Sequence, residues 1–144
     1  MMEHRYSFSC QCGKVSGNIF LPKTLSEYSP RECDCDFCMS RGIQYLSDPQ
    51  GKILVESVAN SEPHLEVLKQ GSNQADFLQC ANCKQVIMTS VGLKNIRMGA
   101  LNVQTLKSKD QLSEPLSVSP KLLSPQEKLE RWQDIWCVLL LNKR

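Results

Sequence analysis

Seven of the eight cysteines lie in three short clusters, and thiolates at such spacings can bind a metal ion. The clusters are Cys10-Gln11-Cys12, Cys33-Asp34-Cys35-Asp36-Phe37-Cys38 and Cys80-Ala81-Asn82-Cys83. Residues i and i+2 of an extended segment project from one face, so a C-x-C pair directs two sulfurs at one ion. A C-x-x-C pair does the same around a tight turn, and this spacing is common in structural zinc sites.

The middle cluster differs from the two pairs, because C-x-C-x-x-C can place three thiolates around one ion. Zinc prefers four ligands in a tetrahedron. The economical partition therefore joins the first and third clusters in a closed structural site. It leaves Cys33, Cys35 and Cys38 with an open fourth position, which is the feature that catalytic zinc sites keep. Spacing alone also allows other partitions, such as the first pair with Cys33 and Cys35 around one ion.

Other interpretations of the cysteines stay open on spacing alone. Cysteine often packs as a small buried hydrophobe, which explains one or two residues more easily than three clusters. A C-x-x-C pair can also be a redox dithiol, but such motifs usually open a helix beside a βαβ unit, and the sequence around Cys80 predicts none. Thiolate ligands are typical of zinc, iron–sulfur clusters and Cu(I), so spacing does not identify the metal.

Basic residues adjoin the cysteine clusters. Arg31 and Arg41 flank the middle cluster, and a guanidinium group can offset thiolate charge or bind a carboxylate through two hydrogen bonds. Both are candidate cofactor-binding or substrate-binding residues, with exposed arginines on a solvated surface as the competing interpretation. Lys14 and Lys84 adjoin the two pairs and can screen their charge. Cys137 lies outside the clusters and is predicted to be a buried small residue on a C-terminal helix; at the middle site it would close the fourth position.

Length and charge restrict the class of protein. The 144 residues fit a single domain, residues 1–144. A net charge of +2 argues against nucleic acid or an anionic membrane as the main partner. The sequence has no apolar stretch of about 18 residues and no apolar secretory signal at its start, so we expect a cytoplasmic protein with reduced thiols. The oligomeric state has no sequence signature.

Short segments of alternating polarity predict a mainly β fold between residues 6 and 106. The predicted strands are residues 15–21, 53–58, 77–80 and 86–91. Turn signals separate them at residues 29–30, 48–51, 61–63 and 70–73. Helical spacers of about 10 to 15 residues are missing, which argues against parallel βαβ units.

The region after residue 106 has a different composition. Residues 108–119 are polar and predict a surface loop. Ser124-Pro125-Gln126-Glu127 predicts a helix start, with Ser124 as the N-cap and Glu127 completing a capping box. The helix would pack on the β core through an apolar stripe of Leu129, Trp132, Trp136 and Leu139. Alternatively, residues 138–141 form a final strand.

Taken together, these motifs resemble the glutathione-dependent formaldehyde-activating family, which includes centromere protein V. The resemblance rests on C-x-C-G-x-V-x-G at 10–17, C-D-C-D-F-C followed by Arg41-Gly42, Gly71 and Phe77 ahead of the C-x-x-C pair, and Asn102-Val103. It covers residues 9–106, with 107–144 as a C-terminal extension. The family usually has glycine after the C-x-x-C pair, where this chain has Lys84; a left-handed backbone there would cost about 1 kcal/mol.

The resemblance implies a fold, a pair of metal sites and an activity. The fold would be several short coiled antiparallel β-sheets around two zinc ions, with a short C-terminal helix. Cys10, Cys12, Cys80 and Cys83 would hold a structural zinc. Cys33, Cys35 and Cys38 would hold a catalytic zinc.

The implied activity is that of a carbon–sulfur lyase similar to S-hydroxymethylglutathione synthase, with glutathione or a related thiol and formaldehyde or another small aldehyde as substrates. A zinc ion with three thiolates suits a fourth sulfur ligand, whose deprotonation it assists. The alternative function is a non-catalytic zinc-binding module for protein or nucleic-acid interaction.

Overall fold

The computed structural model describes residues 3–33, 36–57, 65–69, 76–93, 96–118 and 123–141. Within these ranges the chain forms eleven strands and two α-helices. The strands are β1 (His4–Ser9), β2 (Val15–Leu21), β3 (Arg31–Cys33), β4 (Gln44–Leu46), β5 (Lys52–Ser57), β6 (Leu65–Lys69), β7 (Asp76–Cys80), β8 (Val86–Leu93), β9 (Ile96–Asn102), β10 (Leu116–Val118) and β11 (Cys137–Leu141).

The helices are α1 (Asp36–Arg41) and α2 (Pro125–Ile135), with short 3₁₀ turns at Leu25–Glu27, Val103–Thr105 and Lys109–Gln111. Among the described residues, no helix has both the length and the apolar character that crossing a membrane requires.

The strands form one hydrogen-bonded network in the order β1-β2-β5-β11-β9-β4-β3-β10, and β8, β7 and β6 branch from β9. One edge of β9 pairs with β8, and the other edge is shared by β11 and β4. The predicted mainly β class is confirmed, although the strands join in one sheet. Most pairings are antiparallel, but β10 runs parallel to β3 and β11 parallel to β5.

The predicted strands correspond closely to observed ones. In β2 the buried and half-exposed positions alternate along the whole strand, as residues 15–21 predicted. The segments 53–58, 77–80 and 86–91 correspond to β5, β7 and β8, with Val58 outside the described residues. The turn signals at 61–63 and 70–73 also lie outside them.

In the part of the chain that the structure describes, the core consists of two apolar clusters. The first lies around Phe8, Ile19, Leu21 and Ile53, which are at most 1% exposed. The second contains Cys38, Ile43, Tyr45, Val86, Val91, Met98, Ala100 and Trp136. Helix α2 packs Leu129 and Trp132 against this second cluster, so Cys38 and the C-terminal helix meet in one part of the core.

The predicted helix start is confirmed in detail. The Ser124 side chain accepts a hydrogen bond from the Glu127 amide at 3.2 Å, and the Glu127 carboxylate accepts one from the Ser124 amide at 2.8 Å. The predicted apolar stripe is wrong beyond Ile135, because Trp136 is the C-cap residue and Leu139 lies in β11. A final strand forms there because its backbone groups pair with both β5 and β9.

The predicted loop over residues 108–119 is also wrong in part. Leu116–Val118 forms β10 and pairs with Arg31–Cys33 of β3 in parallel register. The strand has only three residues, Leu-Ser-Val, and this is too short for its alternation to distinguish a strand from a loop.

Candidate metal centre

The first and third cysteine clusters meet in space. The sulfur atoms of Cys10, Cys12, Cys80 and Cys83 all lie within 4.8 Å of one another. Two of these separations are 3.5 Å, between Cys10 and Cys12, and 3.6 Å, between Cys12 and Cys80. This grouping agrees with the economical partition.

The turn between β1 and β2 positions the first pair. The Cys10 amide donates to the Val15 carbonyl at 2.9 Å, and the Gly13 amide donates to the Cys10 carbonyl at 3.1 Å. Gly13 has a φ of 81°, in the left-handed region that glycine adopts without strain. The Val15 amide lies 3.4 Å from the Cys10 sulfur and donates to it. The turn therefore provides a backbone donor for a thiolate.

A second turn, between β7 and β8, positions Cys80 and Cys83. The Cys80 amide donates to the Gln85 carbonyl at 2.9 Å, and the Cys83 amide donates to the Cys80 sulfur at 3.5 Å. Lys84 has a φ of 65°, so the left-handed backbone considered for this position is present. The two turns are joined by the Gln11 amide, which donates to the Gln85 side chain at 2.8 Å.

The four thiols differ in exposure, and the environments of three of them shift their pKa values. Cys12 is exposed, and hydrogen bonds from the Asn82 side chain and the Lys14 amide lower its pKa to about 6. Cys80 is fully buried, and burial raises its pKa to about 11. Burial also acts to raise the pKa of Cys83, but backbone hydrogen bonds, led by that of Gln85, leave it lowered. A divalent cation favours the thiolate form at every position.

The donor set fits a tetrahedral metal ion. A metal–sulfur distance near 2.3 Å gives sulfur–sulfur edges of about 3.8 Å in a regular tetrahedron. The two short separations lie slightly below this edge, and the largest lies about 1 Å above it. Four cysteine ligands that leave no open coordination position are typical of a structural zinc site. The four cysteines can therefore hold one metal ion.

The middle cluster is described only in part. Cys33 ends β3, but its side chain and all of Cys35 lie outside the described residues. Cys38 lies in α1, is 1% exposed, and its sulfur is 3.2 Å from the hydroxyl oxygen of Tyr45. The proposed three-cysteine ligand set is thus represented by one buried thiol, and it stays a prediction.

The two candidate arginines occupy different environments. Arg31 is half-buried and donates to the Ser47 hydroxyl at 3.3 Å, and burial lowers its pKa, with the charge of Arg131 as the next cause. Arg41 is the exposed last residue of α1 and donates to Ser40 at 3.3 Å. Their roles in binding a substrate or cofactor stay predictions.

Lys84 does not direct its charge at the sulfurs. Its ammonium group lies 2.9 Å from the Glu66 carboxylate, which also accepts a hydrogen bond from Gln79 at 2.7 Å. The hydrogen bond from Gln79, followed by the contact with Lys84, lowers the pKa of Glu66. Lys84 was expected to screen the charge of the cysteine thiolates, but its own charge is partly neutralised by Glu66.

Cys137 is fully buried, as predicted, but it begins β11 instead of lying on a helix. Its sulfur accepts a hydrogen bond from the Asp48 amide at 3.3 Å. Burial raises its pKa to about 12, so it stays a neutral thiol at physiological pH. The described cysteine side chains form no disulfides; they are Cys10, Cys12, Cys38, Cys80, Cys83 and Cys137.

Sequence reasoning missed three side chains that contact these sulfurs or their turns. Asn82 bonds Cys12, Gln85 ties the two turns together, and Tyr45 contacts Cys38. Asn82 lies inside the C-x-x-C motif, so its position was visible in the sequence. The other two contacts depend on how β8 and β4 are placed, which no local pattern encodes.

Comparison with known proteins gives a likeness of fold. No family model matches the sequence, and no curated protein matches it. A crystal structure of a Rhodobacter sphaeroides protein from a structural genomics programme superposes with a TM-score of 0.54 at 22% sequence identity. The match covers 78% of this chain and 99% of that chain. At this identity the similarity shows a shared fold.

Proposed function

We propose that the protein is a zinc-dependent carbon–sulfur lyase that acts on adducts of glutathione, or a related thiol, with formaldehyde or another small aldehyde. The observation that carries the proposal is the grouping of Cys10, Cys12, Cys80 and Cys83 around one position. This grouping uses four of the seven clustered cysteines, and we propose that the remaining C-x-C-x-x-C segment is a separate ligand set. Three protein ligands and an open fourth position are what catalytic zinc sites keep.

In the proposed reaction, the thiol sulfur forms a bond to the aldehyde carbon, and the thiol proton ends on the carbonyl oxygen. The reverse reaction breaks the carbon–sulfur bond and returns the proton to sulfur, so neither direction needs an oxidant. When bound at the middle cluster, zinc would supply Lewis acidity that favours the thiolate form of the substrate. Cys33, Cys35 and Cys38 would hold it there.

Two arginines are proposed to bind the substrate. Arg31 precedes Cys33 by two residues, and Arg41 follows Cys38 by three. Glutathione carries two carboxylates, and a guanidinium group binds a carboxylate through paired hydrogen bonds. We place the reaction in the cytoplasm, where thiols stay reduced.

The second candidate is a non-catalytic zinc-binding module for protein or nucleic-acid interaction. The observation that favours it is the closed four-cysteine group, whose four sulfurs can fill every position around one ion, as in a structural site. The near-neutral charge of +2 makes a protein partner the better expectation.

Metal analysis followed by an activity assay separates the two candidates. The enzyme is expected to bind two zinc ions per chain, one of which a chelator removes with little loss of fold. Adduct formation from glutathione and formaldehyde, followed by NMR, should depend on that exchangeable ion. A single tightly held ion per chain, with no adduct formed, would remove the basis for the lyase and favour the module.

A further inference from the structure

We propose that Tyr45 is a positioning residue for the middle cysteine cluster, with its hydroxyl group donating a hydrogen bond to the thiolate of Cys38. The inference rests on the proposed function, in which Cys38 is one of three thiolate ligands. It assigns to the cluster a partner that lies outside the cysteine motif.

The local chain path creates the contact. After α1, the Gly42 amide donates to the Met39 carbonyl at 3.2 Å, and the Ile43 amide donates to the Cys38 carbonyl at 3.0 Å. Gly42 has a φ of 63°, and this pair of hydrogen bonds with a left-handed glycine is a Schellman motif. The reversal leads directly into β4, which brings Tyr45 back over Cys38.

Both residues are buried, so water cannot stabilise a negative charge on the Cys38 sulfur. Cys38 is 1% exposed and Tyr45 is 9% exposed, and both belong to the second core cluster with apolar neighbours such as Ile43, Val86 and Val91. A charged sulfur in such surroundings is destabilised unless a donor compensates it. The Tyr45 hydroxyl, 3.2 Å from the sulfur, is in position to do so.

The direction of the hydrogen bond depends on the state of Cys38. A neutral thiol can donate to the phenol oxygen or accept from it, whereas a thiolate has no hydrogen and can only accept. A donor that fixes a ligand and stabilises its charge is an outer-shell partner, and loss of such a partner typically weakens metal affinity by about 10 to 100-fold.

The test compares Tyr45→Phe with Tyr28→Phe in the full-length protein loaded with Co²⁺. The two tyrosines are equally exposed, at 9%, and each variant loses only a hydroxyl group. The Tyr28 hydroxyl donates to the Asp48 carboxylate at 2.8 Å, so its loss controls for a missing tyrosine hydrogen bond that is partly buried. Cys38→Ser identifies which part of the thiolate-to-cobalt absorption comes from the middle cluster.

We expect Tyr45→Phe to move that absorption to lower energy, because a thiolate that has lost a hydrogen-bond donor gives up an electron more easily. Its affinity for the second cobalt ion should fall by about 10-fold or more, while Tyr28→Phe leaves both properties unchanged. Replacing tyrosine by 3-fluorotyrosine, a stronger donor that keeps every hydroxyl group, should move the absorption to higher energy. This second measurement applies even if Tyr45→Phe fails to fold.

The outcomes test the role of Tyr45 separately from the proposed function. A wild-type protein that binds one cobalt ion refutes the proposed function. A wild-type protein that binds two ions, with the absorption unmoved by Tyr45→Phe and by fluorotyrosine, refutes the role of Tyr45 and leaves the proposed function standing.

Discussion

The sulfur atoms of Cys12 and Cys80 lie 3.6 Å apart, although the two residues are 68 positions apart in sequence. Cys12 belongs to the turn between β1 and β2, and Cys80 ends β7. In the strand order β1 and β7 are well separated, so a metal ion at this point would link distant parts of the sheet. Its contribution to stability should therefore be large.

Removing one ligand tests that contribution. We expect Cys80→Ser to lose the ion of the four-cysteine site and to lower the free energy of unfolding by more than about 4 kcal/mol, because a structural metal contributes to folding directly. Urea unfolding with and without a chelator measures this. The gap between wild type and variant should shrink when the metal is removed from both; an equally large gap without metal would assign the loss to packing of the buried Cys80.

The left-handed backbone at Lys84 predicts an unusual order of stability. Lys84→Gly should be about 1 kcal/mol more stable than Lys84→Ala, since alanine is strained at a φ of 65° and glycine is not. Both variants remove the ion pair with Glu66, so that loss cancels in the comparison. Thermal unfolding of the two variants with metal bound provides the measurement, and equal stability would contradict the prediction.

Gly17 is predicted to tolerate no side chain. A Cβ atom there would overlap the Leu54 carbonyl oxygen and lie 2.8 Å from the Phe8 ring. Gly17→Ala should destabilise the fold by about 2 kcal/mol or more, since backbone and a buried ring cannot both move away.

The matched control for that substitution is Gly92→Ala, because a Cβ atom at Gly92 meets nothing within 4 Å. Its unfolding free energy should stay within about 0.5 kcal/mol of the wild type. If denaturant unfolding shows both alanine variants equally stable, the close approach of β2 to β5 does not constrain position 17.

The buried thiol of Cys137 should make the folded protein less stable at alkaline pH. Burial raises its pKa from 9.0 to about 12, so the folded state keeps a proton that the unfolded state releases. This contribution is fully present below pH 9 and is lost as the pH rises towards 12, at about 1.4 kcal/mol per pH unit. Urea unfolding at pH 8 and pH 10 should show a steeper loss for wild type than for Cys137→Ala. The same pH dependence in both would exclude Cys137 as its source.

Local patterns in the sequence predicted those parts of the structure that depend on near neighbours. The alternation over Val15–Leu21 matches β2, because successive side chains of a strand point to opposite faces of the sheet. Buried and half-exposed positions therefore alternate along it. Ser124 and Glu127 lie in one turn of helix and form their capping box without help from the rest of the protein. The pairing of the first and third cysteine clusters followed from ligand number, because neither pair alone can complete a tetrahedron.

The remaining features depend on tertiary pairing. A run such as residues 138–141 is apolar in either a helix or a strand, and it becomes β11 because β5 and β9 leave room for a strand between them. The contact between Tyr45 and Cys38 required both the helix α1 inside the cysteine cluster and the reversal at Gly42. Neither has a periodic signal, and α1 has only six residues.

The insertion of β11 between β5 and β9 has a consequence for folding kinetics. Its partners are separated from it along the chain by about 40 to 85 residues, which raises the contact order of the domain, and high contact order slows the search for the native state. During synthesis, the parts of β5 and β9 that pair with β11 would have no strand partner until Cys137–Leu141 has been made. A nascent chain at that stage is expected to rely on chaperones to avoid edge-to-edge aggregation.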